Sequence, residues 1–170
     1  MSVTKDTSKS ISPTLLSVII FLAVVVVWIG VRLIFPDVPT FFAGTQPENI
    51  GVTNEKLLSC PSTPNCVSSQ SEDAEHSIEP LIYQGEGEQV ISALKDIINQ
   101  EERTEIVSET SDYLYAQFTS QWMGFIDDVE FFVNKDKGVI DVRSASRLGE
   151  SDLGVNRERI ESIRQALEQS

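Results

Sequence analysis

Apolar residues follow three different rhythms along this chain. Residues 15–31 read "LLSVIIFLAVVVVWIGV" without a single charge, and after Arg32 the run continues through "LIF" to Phe35. That is about the 20 apolar residues that a helix needs to cross a bilayer. Next comes "PDVPTFFAGTQPENIG", residues 36–51, which is punctuated by Pro and Gly, has no period, and reads as a tether. Phe41 and Phe42 within it suit either a membrane interface or a docking contact with the domain. A turn-rich stretch with two cysteines precedes "SIEPLIY", residues 77–83, which reads as a short strand. From residue 85 the period changes to that of a helix. Val90, Leu94, Ile97 and Ile98 form one stripe with Ala93 beside it, and Glu86 and Glu88 sit at the N-terminal end, where the helix dipole favours them.

Four strand-like segments follow: "TEIVSET", "YLYAQFT", "FIDDVEFFV" and "GVIDVRS", the last two flanking the turn "NKDKG". Ile160, Ile163, Ala166 and Leu167 then recur at helical spacing, with Asn156 or Asp152 as N-cap. The order strand, helix, four strands, helix predicts an α+β fold: an N-terminal transmembrane helix, then a two-layer antiparallel sheet with two helices on one face. Helix-grip and TATA-binding-protein-like folds share that topology, which carries no function by itself. The expected organisation is a tail over 1–13, a transmembrane helix over 14–35, a linker over 36–56 and a soluble domain over 57–170.

The last hairpin can be read to the residue, because a one-residue slip exchanges the faces of a strand. A loop over 135–138 sets Val133 opposite Ile140, Phe131 opposite Val142 and Val129 opposite Ser144 on one face. The other face pairs Phe132 with Asp141, Glu130 with Arg143 and Asp128 with Ala145. An opposite-charge pair then lies directly across strands, a contact worth roughly 0.2–1 kcal/mol. In this register Asp127 falls on the core face, at the open end of the hairpin near Ser144 and Ser146. A carboxylate buried there needs a partner, and Arg147 or Arg157 is the expected one.

Charge and flanking residues refine the membrane reading. The first apolar run is longer than a signal-peptide core and no A-x-A site follows it, which favours an uncleaved anchor. Arg32 can reach the headgroups from the helix end, and Trp28 suits an interfacial level. Lys5, Lys9 and the amino terminus precede the helix, whereas Arg32 alone follows it closely. The expectation is therefore a single pass with a cytoplasmic N-terminus and an exported C-terminal domain. The chain carries 13 Lys+Arg against 26 Asp+Glu, a formal net charge of -13. So acidic a domain is unsuited to nucleic acid or to anionic lipid surfaces. Beyond the membrane, the partners to expect are a protein or a small anionic ligand. Oligomeric state is not encoded in these patterns.

Against that acidity, five of the seven arginines lie in the last 28 residues, around "DVRSASRLGESDLGVNRER". Ser144, Ser146 and Ser151, the backbone amides, and the forks of Arg143, Arg147 and Arg157 can converge there on an anion. The competing reading is a self-satisfied loop. In it the arginines pair Asp127, Asp128 or Asp152, Asn156 caps the helix, and Gly149 and Gly154 supply turns. Asp127, Asp128 and Glu130 suggest a metal or an acid/base pair, but a strand puts Asp128 and Glu130 on one face and Asp127 on the other. A Ca²⁺ or Mg²⁺ site would need more oxygen ligands, with Asp152 as a candidate. Ion pairs explain the triplet more simply, and neither a cofactor nor a complete metal set is expected.

Cys60 and Cys66 are the only cysteines and should pair in an exported domain. A lipid on Cys60, a metal shared with His76, and a redox pair are the other readings, each with poor spacing. His76, the only histidine, follows "SED" and reads as a solvated loop residue that supports no Ser-His-Asp triad.

Three separated motifs, "CPSTPNCVSSQ" at 60–70, "GFIDDVEF" at 124–131 and "VRSASRLGESDLGVNRERI" at 142–160, resemble the domain-of-unknown-function family numbered 1499. The resemblance covers about residues 57–167 and implies a membrane-anchored, bacterial-type member. It also implies that Cys60, Pro64, Asn65, Cys66, Ser69, Asp127, Asp128, Glu130, Arg143, Ser144, Ser146, Arg147, Gly149, Asp152, Gly154, Asn156 and Arg157 occupy motif positions. It implies no reaction. The functional expectation is a non-enzymatic binding or interaction module of the envelope. The alternatives are an enzyme using the Asp/Arg cluster on a phosphate- or carboxylate-bearing substrate, and an apolar-ligand carrier with a cleft between helix and sheet.

Overall fold

A computed structural model describes residues 11–36, 38–83 and 87–169. Lys5, Lys9 and Glu86, on which the orientation and one dipole contact were read, lie outside the described residues. The chain divides into two compact units, residues 1–36 and 37–170.

The first unit is helix α1, Pro13–Ile34. Proline opens it, where its missing N–H costs nothing, and the Ser12 side chain accepts from the Leu15 amide at 3.2 Å. It is long and apolar enough to cross a membrane.

The second unit is an α+β domain. Its elements are β1 (Cys66–Ser68), β2 (Leu81–Ile82), α2 (Gly87–Ile98), β3 (Thr104–Glu109), β4 (Tyr113–Thr119), β5 (Ile126–Asn134), β6 (Val139–Ser146) and α3 (Val155–Glu168). Among the described residues they build one open antiparallel sheet in the order β1-β6-β5-β4-β3, with β2 also pairing β6. The expected register of the β5–β6 hairpin holds throughout: Val133 opposite Ile140, Glu130 opposite Arg143, Asp128 opposite Ala145.

Two expectations about the elements are corrected. The strand read over 77–83 shrinks to Leu81–Ile82, because Pro80 lacks an amide to donate and interrupts any ladder. A strand was also missed. Cys66–Ser68 pairs the end of β6, hidden in the sequence by the prolines and serines around it.

One face of the sheet is apolar and covered by the two helices. From α2, Val90, Ile91, Leu94 and Ile98 meet Leu114, Ala116, Phe131, Val133 and Ile140 in one cluster, with Ile160 and Ile163 of α3. Ile97, placed on the stripe from sequence, is half-buried, and Ile91 takes the inward position. Each fully buried side chain of this kind contributes roughly 1.5–3 kcal/mol. These side chains pack the space between α2 and the sheet, and a cavity of about 430 Å³ opens at its edge beside Ile82, Tyr83, Val90, Ala93 and Leu167.

The other face is polar, yet it too is buried. Asp128, Glu130, Asn134, Asp141 and Arg143 all belong to it and are all closed off from solvent. The N-terminal stretch of this second unit contributes to that closure. Thr40 donates to the Met123 carbonyl at 2.7 Å, the Phe42 ring packs on Phe125 at 5.2 Å, and the Gly51 amide donates to Glu130 at 2.8 Å. Residues read as a free tether are thus packed along the domain. Gly44 shows how closely: its φ is +68° and a Cβ there would meet the Arg147 Cβ at 2.8 Å.

Candidate functional site

Neighbouring strands place the chemistry of the polar face. Period-2 alternation brings Asp128 and Glu130 of β5 beside Tyr113, Tyr115 and Gln117 of β4 and beside Asp141 and Arg143 of β6. Arg147, just past β6, turns back over Asp128. Its Nε donates to Oδ2 at 2.9 Å and one terminal nitrogen to Oδ1 at 2.7 Å, a two-pronged ion pair. Tyr115 donates to Asp128 at 2.6 Å and accepts from Gln117 at 2.7 Å. Burial and the hydrogen bond to Asp128 push the Tyr115 hydroxyl up to about 12. Burial works against the charge on Arg147, but the Asp128 carboxylate outweighs it and holds the guanidinium above its ordinary value.

Glu130 is more exposed to that penalty. Burial raises its pKa, opposed by Arg143 at 3.3 Å, by the Tyr113 hydroxyl at 2.8 Å and by the Gly51 amide. The Tyr113 hydroxyl is raised in turn, first by burial and then by the Glu130 charge. Arg143 keeps one buried nitrogen, Nε, without a hydrogen-bond partner. Asp141 ends the row, accepting from Ser69, Gln70 and Asn134 at 2.8–2.9 Å.

On the helix side of the sheet the expected partner of Asp127 is corrected. Neither Arg147 nor Arg157 meets it; Arg159 does, at 2.6 Å, while stacking over the Phe118 ring at 4.7 Å. Arg147 is occupied on the opposite face. Arg157 donates to the backbone carbonyls of Ser77 and Glu75 at 2.8 and 3.0 Å. Arg143, Arg147 and Arg157 therefore point to three different places and do not converge.

The serines follow the same logic. Ser144 and Arg159 both donate to Asn156 Oδ1, at 2.5 and 2.6 Å, while Asn156 Nδ2 donates to the Asn65 carbonyl and to Ser146 Oγ, each at 3.1 Å. Asn156 is fully buried and all four of its hydrogen-bonding positions are used. Asn65 itself ties the 60–66 loop to the β6–α3 turn, donating to the Gly149 carbonyl at 2.7 Å. The helix cap also differs from expectation. Gly154 is the N-cap residue, and Asp152 reaches past it to accept from the amides of Gly154 at 3.1 Å and Asn156 at 2.8 Å.

Cys60 and Cys66 form a disulfide, with 5.6 Å between their Cα atoms. His76 is not the solvated residue expected. It is buried, its Nδ1 lies 2.9 Å from Asp73 and its Nε2 3.1 Å from the Thr63 carbonyl inside the disulfide loop. The Thr63 carbonyl, and then Asp73, raise its pKa. Asp152 stands apart from Asp128 and Glu130. Among the described residues no group of three or more His, Cys, Asp or Glu is placed to hold a metal ion.

Tyr113, Tyr115 and Arg159 are members of these networks that sequence reasoning did not place, while Asp141 was placed by register alone and Asn65 only as a motif position. The alternation of β4 could have flagged the tyrosines, since it puts them on the face of Glu130 and Asp128.

Fold and networks together define a class: an α+β domain with a buried Arg–carboxylate sheet face, preceded by a helix able to span a membrane. The chain belongs to the family of proteins of unknown function DUF1499, whose model matches residues 56–167. Comparisons with curated proteins and with solved structures found no match.

Proposed function

We propose that this is a single-pass envelope protein whose exported domain is a non-enzymatic binding or interaction module. The observation that carries the reading is the inward engagement of the arginines. Arg143, Arg147 and Arg159 face carboxylates, and Arg157 and Arg164 hold backbone carbonyls. A site for a phosphate- or carboxylate-bearing substrate needs cationic groups left open in a concave surface. Asp127, Asp128, Glu130, Arg143, Ser144, Ser146, Arg147, Asp152, Asn156 and Arg157 act, on this reading, as the frame of the domain. The disulfide supports an oxidising compartment, and with it a cytoplasmic N-terminus.

The test is a thermal-shift screen on the purified chain with phosphate, sulfate, nucleotides, dicarboxylates, Ca²⁺ and Mg²⁺, in parallel with Arg147→Ala. The expected result is no shift from any compound and a strongly destabilised variant. A ligand at 100 times its Kd adds about 2.7 kcal/mol. A shift of that size that disappears in Arg147→Ala would overturn the reading in favour of an enzyme or anion-binding site.

A further inference from the structure

The sheet is open, and its last strand keeps one side without a neighbour. Among the described residues β3 pairs only β4 and ends the order β1-β6-β5-β4-β3. The Thr119 amide donates to the Arg103 carbonyl at 2.9 Å and the Thr110 amide to the Tyr113 carbonyl at 2.8 Å, which fixes the residues whose main chain faces β4. Antiparallel pairing alternates such residues with outward ones, and the bulge between Ile106 and Ser108 shifts the alternation by one. The amides and carbonyls of Thr104, Ile106 and Glu109 therefore point away from the sheet. Helix α2 does not cover this edge: Thr104 and Ile106 are half-buried and the rest of β3 is exposed.

An open edge is a template for another strand, and proteins blunt such edges with charge and bulges. Here the charge has one sign. Glu101 and Glu102 stand just before the strand, Glu105 and Glu109 within it, and Glu88 shares a groove with Glu109 beside the β3–β4 turn. Against these five carboxylates stand Arg103, already paired with Glu102, and Lys95, already paired with Glu109 at 2.6 Å. Like charges placed directly across a strand pair are destabilising, so this edge repels a second copy of itself. The same charges favour a strand of opposite sign.

The cavity at the start of the strand has the same character. About 330 Å³ in volume, it is bounded by Glu101, Glu102, Asp127 and Glu158 together with Arg103 and Arg159. Both arginines are engaged, by Glu102 and Asp127 respectively. Glu101 and Glu158 form no ion pair among the described residues and face a cavity that a lysine or arginine side chain can enter. Outward main-chain groups, an acidic border along the strand and an acidic cavity at its start thus lie on one line.

We propose that the free edge of β3 is a docking site for an extended, basic segment of a partner protein, which adds a strand to the sheet. Main-chain hydrogen bonds to Thr104, Ile106 and Glu109 supply the affinity. Basic side chains facing Glu105 and entering the cavity supply the selection. The proposal rests on the reading of the domain as an interaction module, and the test separates the two.

The probe is a fluorescein-labelled peptide of alternating lysine and valine, added to the full chain in neutral detergent and followed by fluorescence anisotropy. It should bind, and more weakly as salt rises. The same peptide N-methylated at every residue keeps its charge but donates no main-chain hydrogen bond, and should not bind. Glu105→Lys alters an exposed side chain and should weaken binding about tenfold with an unchanged melting temperature. Hydrogen exchange should slow on binding at the amides of Thr104, Ile106 and Glu109. Equal binding of the methylated peptide overturns the proposal, since charge alone then attracts it. Protection confined to another strand overturns it as well. Outward β3 amides already protected before peptide is added, in a chain that sediments as a dimer, overturn it in favour of a second copy. If neither peptide binds, the docking edge falls, and the module reading stands as long as the small-ligand screen is silent. A thermal shift from phosphate or a dicarboxylate that Arg147→Ala abolishes overturns that reading, and the edge with it.

Discussion

Replacing Arg147 with alanine gives the most direct reading of what the arginines do. In the native domain Asp128 has a side chain 1% exposed, and its two oxygens are bridged by the Arg147 fork at 2.9 and 2.7 Å. Truncation leaves that carboxylate with only the Tyr115 hydroxyl. Removing one partner of a buried pair costs about 3–5 kcal/mol, against roughly 0–1 kcal/mol for a surface pair. With a urea dependence of about 1–3 kcal/mol per molar, the unfolding midpoint should fall by on the order of 2 M. The assay is urea titration of the full chain in detergent, followed by near-UV circular dichroism. A companion variant sharpens it. Arg147→Met with Asp128→Leu and Tyr115→Phe removes the charges and the hydroxyl together, and should recover most of the loss, because apolar replacement of a whole buried pair is close to neutral. A midpoint for Arg147→Ala within a few tenths of a molar of wild type would refute the reasoning. The pair would then be solvated and the arginine free to serve a ligand.

Three further predictions follow from other parts of the network. Asn156→Ala removes the acceptor of the Ser144 hydroxyl, which keeps only the Arg159 donor, and one of two donors to the Asn65 carbonyl; at about 1–3 kcal/mol for a buried group left unsatisfied, the same titration should show a loss of about 2 kcal/mol. His76 has its pKa raised in the fold, so its contribution is fully present below the ordinary value of 6.5 and is lost as pH rises through the folded value. Asp73, lowered first by the Glu75 amide and then by His76, contributes above its ordinary 3.8 and loses that as pH falls. Melting temperatures between pH 5 and 8.5 should therefore decline less steeply in His76→Gln than in wild type. An unchanged slope would show that His76 does not titrate differently on folding. Gly124→Ala forces a left-handed alanine, about 1–2 kcal/mol, against the Thr40 methyl. Hydrogen exchange at the amides of Phe42 and Ala43 should accelerate, and wild-type protection there would show that Thr40 is not held by this turn.

What the sequence made legible was whatever depended on local alternation. The β5–β6 register followed from one apolar face and one Glu130–Arg143 cross-strand pair, because any slip mixes them. The spanning length of α1 and the stripe of α3 were equally local. Contacts set by docking were not legible. Arg159 rather than Arg147 or Arg157 meets Asp127, because the way α3 lies on the sheet decides which turn faces that strand end. Asn156 left a trace that was open to reading: it precedes Ile160 by four residues and so shares the stripe of Ile160 and Ile163, where a polar side chain must find buried partners. His76 and the strand Cys66–Ser68 left almost none. Both depend on a turn-rich segment folding against β6, and turn composition does not say which residues face inward.

The two faces of the sheet solve different problems. Apolar helices close one face with side chains that need no particular partner. The chain that follows α1 closes part of the other, and its Pro- and Gly-rich sequence has little apolar surface to bury. Its hold is directional: Gly51 to Glu130, Leu57 to Gln70, Gln70 to Asp141, Thr40 to Met123. A buried ionic face is weak evidence for stability, since apolar residues of the same volume do as well. What it supplies here is position. A hydrophobic lid can slide, whereas a donor that must meet Glu130 fixes the register of the covering chain to one residue. That register fixes where Thr40, Gly51 and Leu57 lie along the domain. On this argument the Arg–carboxylate face positions the covering chain, and loosening it should free that chain before it unfolds the core.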